Sequence, residues 1–309
     1  RNFKWLDVDL KLYIDEIIDS DQMYKELLVK EVSEFLKGIP KEIRNDLKAI
    51  DKIKYYLIEN NRIDELVEVV KYQKAKLKYL EVENVNNIYF GKFPFKNIPK
   101  EYFDITSEIL NSKEYKKIEK MYWNNDTLNI KGFMFIHKIN IKDKKDINVK
   151  ATIINLNDDK RVDIEVELFK RRDTTQKYGV KVNNNTLLNR IYNYKWSGFE
   201  IKFSDERIKN LGEGKKKILI QYEVGNIRKE FYLGEPVSGN KSRPKPYLLD
   251  GYKIINSYNL AYELIISSYM EHAGINILEV KDGNIYLDGW TNYDNKLMAI
   301  DWENNIKLY

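Results

Sequence analysis

Seven residues in the middle of the sequence have the types and spacing to bind a sugar. Aromatic ring faces stack on the C–H groups of a pyranose, and an Arg–Asp pair can hydrogen bond to its hydroxyls. The alternative is structural: aromatic residues at the root of a loop usually belong to the core, and the Arg–Asp pair would then brace the loop. Both interpretations stay open. The candidate carbohydrate or interface residues are Arg171, Arg172, Asp173, Tyr192, Tyr194, Trp196 and Phe199.

Other motifs predict no chemistry. Asp7-Val8-Asp9 matches an Asp-x-Asp pattern for Mg²⁺ or Mn²⁺, but it opens a helical stretch, where the helix dipole accounts for the two acids. Gly212-Glu213-Gly214-Lys215 lacks the spacing of a phosphate loop and is typical of a turn. The histidines, His137 and His272, stand alone in the sequence. We therefore predict no catalytic residue, no metal site and no cofactor in this chain.

The composition limits the classes of protein. The 309 residues include 53 basic and 48 acidic residues, which gives a net charge of +5, and no cysteine. Disulfides and thiolate metal sites are therefore excluded. Charges interrupt every apolar run, so no membrane-spanning stretch is expected. The small positive excess suits solubility, with contact to an anionic polymer or a membrane surface as the alternative. Acids interleave with the basic residues and no nucleic-acid-binding motif occurs, so we predict no nucleic-acid partner.

The elements that must position these residues change in character along the chain. Apolar residues recur at helical spacing up to about residue 80, for example Leu10, Ile14 and Ile17. We predict a helical bundle or linker over 1–83, with three or four helices. Glycine, proline and aromatic residues then break the regularity, and we predict an irregular connector over 84–112.

The hydrophobic period changes to two after the connector. Val162, Ile164 and Val166 alternate with acidic residues, and Gly225-Asn226 joins two apolar stretches as a hairpin turn. Strands at intervals of 8–12 residues are typical of an antiparallel immunoglobulin-like β-sandwich, which we predict over 113–270. The predicted fold class is thus a multi-domain α+β protein, with helices first and strands afterwards.

One stretch of the β region returns about 150 residues later. Asp126-Thr127-Leu128-Asn129-Ile130-Lys131-Gly132-Phe133 corresponds to Gly283-Asn284-Ile285-Tyr286-Leu287-Asp288-Gly289-Trp290. Each copy follows a short apolar run and ends on a glycine and an aromatic residue. We therefore expect 271–309 to begin a second β-module, and the chain to be a middle piece of a larger protein.

The order of these parts resembles the C-terminal, non-catalytic region of bacterial surface-polymer glycosyltransferases. The resemblance is carried by the helices ending near Leu80, by Tyr89-Phe90-Gly91-Lys92-Phe93-Pro94, and by Leu128-x-Ile130-x-Gly132, Arg172-Asp173 and Ser197-Gly198-Phe199. It covers most of 20–290. Together these features are similar to wall teichoic acid glycosyltransferases and the related CDP-glycerol glycerophosphotransferases.

The resemblance implies a scaffold with no activity of its own. In such enzymes an N-terminal GT-A catalytic domain precedes a helical linker and immunoglobulin-like modules that can mediate oligomerisation. We therefore expect a missing N-terminal catalytic domain and a homo-oligomer as partners, and a cytoplasmic location, peripheral at the inner face of the bacterial cell membrane. The alternative is a carbohydrate-binding β-sandwich that recognises a surface polysaccharide through Tyr192, Tyr194 and Trp196.

Overall fold

The structure is a computed structural model, and it describes residues 4–181, 190–238, 242–249, 252–270, 273–281, 284–291, 298–301 and 305–308. From residue 273 onward the description is of the backbone. His272 and residues 239–241 lie outside the described residues. All seven candidate site residues lie within them.

Helices come first, as the hydrophobic spacing predicts. A π-helical turn, Trp5–Asp9, contains the Asp-x-Asp triplet and runs into the first helix. The helices are α1 (Leu10–Asp15), α2 (Gln22–Lys37), α3 (Lys41–Asn45), α4 (Ala49–Glu59) and α5 (Ile63–Lys76). Their inward residues form a continuous apolar core, in which α4 is the most buried helix. No helix in the described part of the chain is long and apolar enough to cross a membrane.

The segment predicted as an irregular connector contains short regular elements. A hairpin of β1 (Val82–Val85) and β2 (Ile88–Gly91) is followed by α6 (Thr106–Leu110). Hydrogen bonds of this segment reach the neighbouring parts on both sides. The Glu108 carboxylate accepts from the Ala49 N–H over 2.8 Å, and the Tyr89 hydroxyl donates to the Asn226 side chain over 2.6 Å. The connector therefore joins the helices to the β region by specific contacts.

Ten strands and two short helices make up the main β region. In chain order they are β3 (Glu114–Asn124), β4 (Thr127–Ile136), β5 (Ile147–Asn155), β6 (Arg161–Phe169), α7 (Arg172–Tyr178), β7 (Gly198–Ser204), α8 (Asp205–Asn210), β8 (Gly214–Val224), β9 (Ile227–Tyr232), β10 (Tyr247–Leu249), β11 (Tyr252–Tyr258) and β12 (Leu264–Met270). The named strands pair antiparallel, in the order β10-β11-β12-β8-β5-β6-β7-β4-β3, with β9 on β8. The α+β class is confirmed.

The immunoglobulin-like sandwich is not confirmed, because these strands form one curled sheet. β6 pairs with β5 over its first half and with β7 over its second half, so no gap separates two sheets. The chain after β9 then bonds to β3: Ile118 donates its N–H to the Glu235 carbonyl and accepts from the Val237 N–H. The sheet is a nearly closed barrel. A period of two predicts strands, but it does not tell which strands are neighbours.

The last strands lie in a separate sheet. β13 (Ala273–Lys281), β14 (Asn284–Thr291), β15 (Met298–Asp301) and β16 (Asn305–Leu308) pair in sequence order, all antiparallel. β13 and β14 are the strands of the second copy of the repeated stretch. The two copies therefore lie in two different sheets.

Candidate functional site

Arg171 is the centre of the charged part of the predicted sugar site. Its Nε and Nη2 atoms donate to the Asp173 carboxylate over 2.8 and 2.5 Å. On the other side Nη2 donates to Glu119 over 3.0 Å, and Nη1 donates to the second oxygen of the same carboxylate. The guanidinium is thus held between two carboxylates, which raises the pKa of Arg171 and lowers that of Asp173.

Close packing fixes the Arg171 side chain as well. Its guanidinium lies 5.5 Å from the centre of the Phe133 ring, within the range of a cation–π contact. A Cβ atom on Gly198 would lie 2.7 Å from the Arg171 Cγ, so only glycine leaves room for this arrangement. Four of the five guanidinium N–H donors are engaged by the two carboxylates, which leaves little hydrogen-bonding capacity for a sugar. The geometry is that of a brace between β3 and the loop after β6.

Three of the four aromatic candidates are core residues. Tyr192, Tyr194 and Phe199 are 1%, 0% and 0% exposed, so none of these rings has a face open to a ligand. The Tyr194 ring stacks on Phe135 with centroids 4.1 Å apart, and its hydroxyl accepts from the Lys138 N–H over 3.0 Å. The Tyr192 hydroxyl donates to the Leu80 carbonyl. Burial raises the pKa of both tyrosines.

The part of the predicted site that reaches solvent is small. Trp196 is half-buried, and the Lys170 ammonium lies 5.2 Å from the centre of its ring. Arg172 is exposed at the start of α7. Glycan binding at this corner stays a prediction, with Trp196 as its single accessible aromatic ring among the seven candidates.

Glu119 is the member of this cluster that the sequence did not predict. It is the extra residue of a β-bulge, because Ile118 pairs with Gly132 and Lys120 pairs with Lys131. The bulge turns its carboxylate toward Arg171. A signal was present in the sequence, since Gly132 has no side chain where a Cβ would lie 1.9 Å from the Lys117 carbonyl oxygen. A glycine within a strand often marks such a bulge.

A polar cleft opens where the connector meets the barrel. Its volume is about 490 Å³, within the range of small-ligand sites. One wall comes from the β1–β2 hairpin with Asn84 and Tyr89, and another from the chain after β4 with Lys138. The end of β8 with Glu223 and the start of β5 complete it. No sequence motif points to this cleft, because its walls are far apart along the chain.

The described residues contain no group of three or more histidine, aspartate or glutamate side chains that could hold a metal ion. Several acidic residues of the barrel are instead paired with lysine or arginine, as Glu200 is with Lys131 over 3.1 Å.

The solved structures that are similar to this chain include two of one protein. The chain matches no protein-family model and no curated protein. It is similar to the crystal structure of S. aureus TarS 217–571, with 11% identity, 95% of this chain and 82% of that chain covered, and a TM-score of 0.43. It is also similar to the crystal structure of S. aureus TarS, again with 11% identity and 95% of this chain covered, at a TM-score of 0.38. The chain covers half of that second structure. TarS is a wall teichoic acid glycosyltransferase, the class that the sequence motifs resemble.

Proposed function

We propose that this chain is the non-catalytic scaffold of a glycosyltransferase that builds or decorates a bacterial surface glycopolymer similar to teichoic acid. Its helices would pack on the catalytic domain, its β region would hold copies together, and the assembly would lie at the inner face of the cell membrane. The proposal starts from the sequence resemblance. One observation on the helices carries it further.

The first two helices have an apolar face that nothing in the described chain covers. Trp5, Val8 and Leu12 follow one another at helical spacing and are 45%, 47% and 67% exposed. On α2 the side chains of Leu27 and Phe35 are 52% and 39% exposed, and the Phe35 ring lies 6.2 Å from that of Trp5. Exposed apolar side chains grouped in this way are typical of an interaction surface. Its position on the helical part supports contact with another domain.

The polar bonds between the parts also support a scaffold. Leu80, at the end of the helical part, accepts from Tyr192 of the barrel, and Tyr89 of the connector donates to Asn226 in the β8–β9 turn. Because these bonds tie the helices and connector to the barrel, a domain seated on the helices would be held in a defined position relative to the barrel.

Light scattering of the full chain tests the self-association, and a variant of the helical face tests whether that face is used for it. The chain has a mass of 36.9 kDa, and we expect a molecular mass that is a multiple of this value. The double variant Leu12→Asp, Leu27→Asp should keep that multiple, because the helical face serves the catalytic domain and not self-association. Leu260→Asp, at a residue that is fully exposed by itself, is the matched control.

Two results would contradict the proposal. If the wild-type chain stays monomeric at high concentration, the proposed self-association is wrong. If the double variant becomes monomeric and Leu260→Asp does not, the helical face binds a second copy of the chain. The proposed contact with the catalytic domain would then be wrong.

The carbohydrate-binding alternative now depends on Trp196. Titration with teichoic-type polymers and neutral glycans should show a loss of affinity in Trp196→Ala, with Arg172→Ala as a second probe of the same corner. An affinity that is unchanged in Trp196→Ala would show that no sugar stacks on this ring, and the carbohydrate-binding alternative would be wrong.

A further inference from the structure

The cleft between connector and barrel contains a half-buried lysine without an ion-pair partner. Lys138 lines the cleft, and in the described part of the chain no carboxylate lies within 4 Å of its ammonium group. Its backbone is left-handed, with φ of 67°, which is rare for a residue with a side chain. Its N–H donates to the buried Tyr194 hydroxyl, and this hydrogen bond stabilises the left-handed conformation.

The carboxylates around the cleft are engaged elsewhere. Asp146 accepts from the Asp143 N–H over 2.8 Å. Glu223 accepts from the Asn148 amide and from Arg228, each over 3.2 Å. Glu108, the acid that acts on Lys138 from a distance, accepts from the Ala49 N–H. Burial lowers the pKa of Lys138, which means that its charge is poorly solvated.

We propose that this cleft binds a tetrahedral oxyanion, a phosphate or a phosphate ester, through Lys138, with Lys145 at the rim. The inference is independent of the scaffold function. A bound anion supplies the partner that the Lys138 ammonium lacks, since Asp146 and Glu223 are held by other donors.

The side chains present favour phosphate over carboxylate. None of the described residues that line the cleft is an arginine, so the planar two-pronged recognition of a carboxylate has no donor there. Lysine ammonium groups bind phosphate as point charges. Lys145 is exposed and also lacks a carboxylate within 4 Å in the described residues, so it can approach a ligand held at Lys138.

His137 is a built-in reporter of this site. Burial lowers its pKa, and the neighbouring positive charge of Lys138 lowers it further. Its ring packs near Tyr115 and Tyr192, with centroids 6.0 and 6.1 Å away. An anion bound at Lys138 offsets that positive charge, so the pKa of His137 should rise on binding. In the His272→Gln variant, His137 is the single histidine, and its ring protons can be followed directly.

The test is an NMR titration of the full chain in that background, with inorganic phosphate, sulfate and acetate at constant ionic strength. Phosphate and sulfate should raise the His137 pKa in a saturable way, and acetate should not. Lys138→Gln should weaken phosphate binding at least tenfold. Lys142→Gln removes the same charge from an exposed position of the same loop, outside the cleft, and should change the affinity less than twofold.

Three outcomes would overturn the proposal. The His137 pKa could stay constant with phosphate in the His272→Gln background, in which every side chain of the cleft is unchanged. Acetate could act as strongly as phosphate, which would remove the selectivity for a tetrahedral anion. Lys142→Gln could weaken binding as much as Lys138→Gln, which would reduce the effect to general surface charge.

Discussion

The two hairpins β3–β4 and β13–β14 are built alike and used differently. The last pair before the chain reverses is Asn124 with Thr127 in the first and Lys281 with Asn284 in the second. Each has a bulge opposite a glycine, since Ile118 pairs with Gly132 and Ile275 with Gly289. Counterparts lie 157 positions apart throughout, as 118 and 275 do.

The difference lies in what pairs with the second strand of each hairpin. β4 pairs with β7, which begins at Gly198, more than sixty residues after β4 ends at Ile136, and so it becomes part of the barrel wall. β14 pairs with β15, the next strand in the sequence. Local sequence therefore specifies the hairpin, its turn and its bulge, whereas distant segments decide the sheet that it joins.

The largest expected effect comes from the bulge glycine. In Gly132→Ala the new Cβ would lie 1.9 Å from the Lys117 carbonyl oxygen and 2.9 Å from the Phe199 ring, so the strands must separate. We expect the free energy of unfolding, measured in urea, to fall by about 3 kcal/mol. Gly38→Ala is the control, because its Cβ would meet only the Phe35 carbonyl at an ordinary 3.6 Å, and we expect a change of about 0.5 kcal/mol.

Gly289→Ala extends this test to the second hairpin. If the two bulges are equivalent, it should speed amide exchange throughout 273–291. Unchanged exchange in this variant would break the comparison.

The next effect concerns the contact between β8 and β12, the strand that precedes the second hairpin. Lys216 of β8 is fully buried, and its ammonium donates to Ser268 of β12 over 2.5 Å. Burial lowers the pKa of Lys216 to about 8, below its ordinary 10.5. Between these pH values Lys216 binds more protons in the unfolded chain than in the folded chain, so its contribution to stability should rise with pH, by about 3 kcal/mol.

Lys216→Met should remove most of this rise. Denaturant unfolding from pH 7 to pH 10.5 measures it, and we expect the variant to be at least as stable as the wild type at pH 7. Lys215→Met, at the adjacent exposed position, is the control. Equal slopes for Lys216→Met and the wild type would show that Lys216 is not the titrating group.

The smallest effect concerns the bulge residue itself. Glu119 bonds to Arg171, whereas its counterpart 157 positions later is Asn276, which carries no charge. Glu119→Asn makes the first bulge resemble the second in this respect. We expect a loss of about 1 kcal/mol, since Arg171 keeps its bonds to Asp173. Arg172→Ala, at an exposed neighbour, should stay within about 0.5 kcal/mol. A loss of 3 kcal/mol in Glu119→Asn would mean that the brace, and not the backbone bulge, holds the first hairpin together.

The comparison also shows how far the sequence leads. The Gly225 turn and the repeated stretch follow from local spacing, and the structure contains the turn and places each copy of the stretch in a hairpin. The barrel did not follow, because the β4–β7 and Ile118–Glu235 contacts join segments that no local period connects. The predicted sugar platform requires aromatic rings that are exposed to solvent, and the sequence alone does not show which rings are exposed. Tyr192 and Tyr194 have the same sequence context as an exposed aromatic pair, and only the packing of Phe135 and Leu80 around them makes them core residues.

The central claim is that one hairpin plan is used twice, once in the barrel and once at the start of another sheet. Cross-strand proton contacts in an isotope-labelled chain test it most directly. We expect contacts between Ile118 and Gly132 and between Ile275 and Gly289, with one unpaired residue following Ile118 and Ile275 in each case. A second hairpin whose register is shifted by one residue, or which lacks the bulge, would contradict the account.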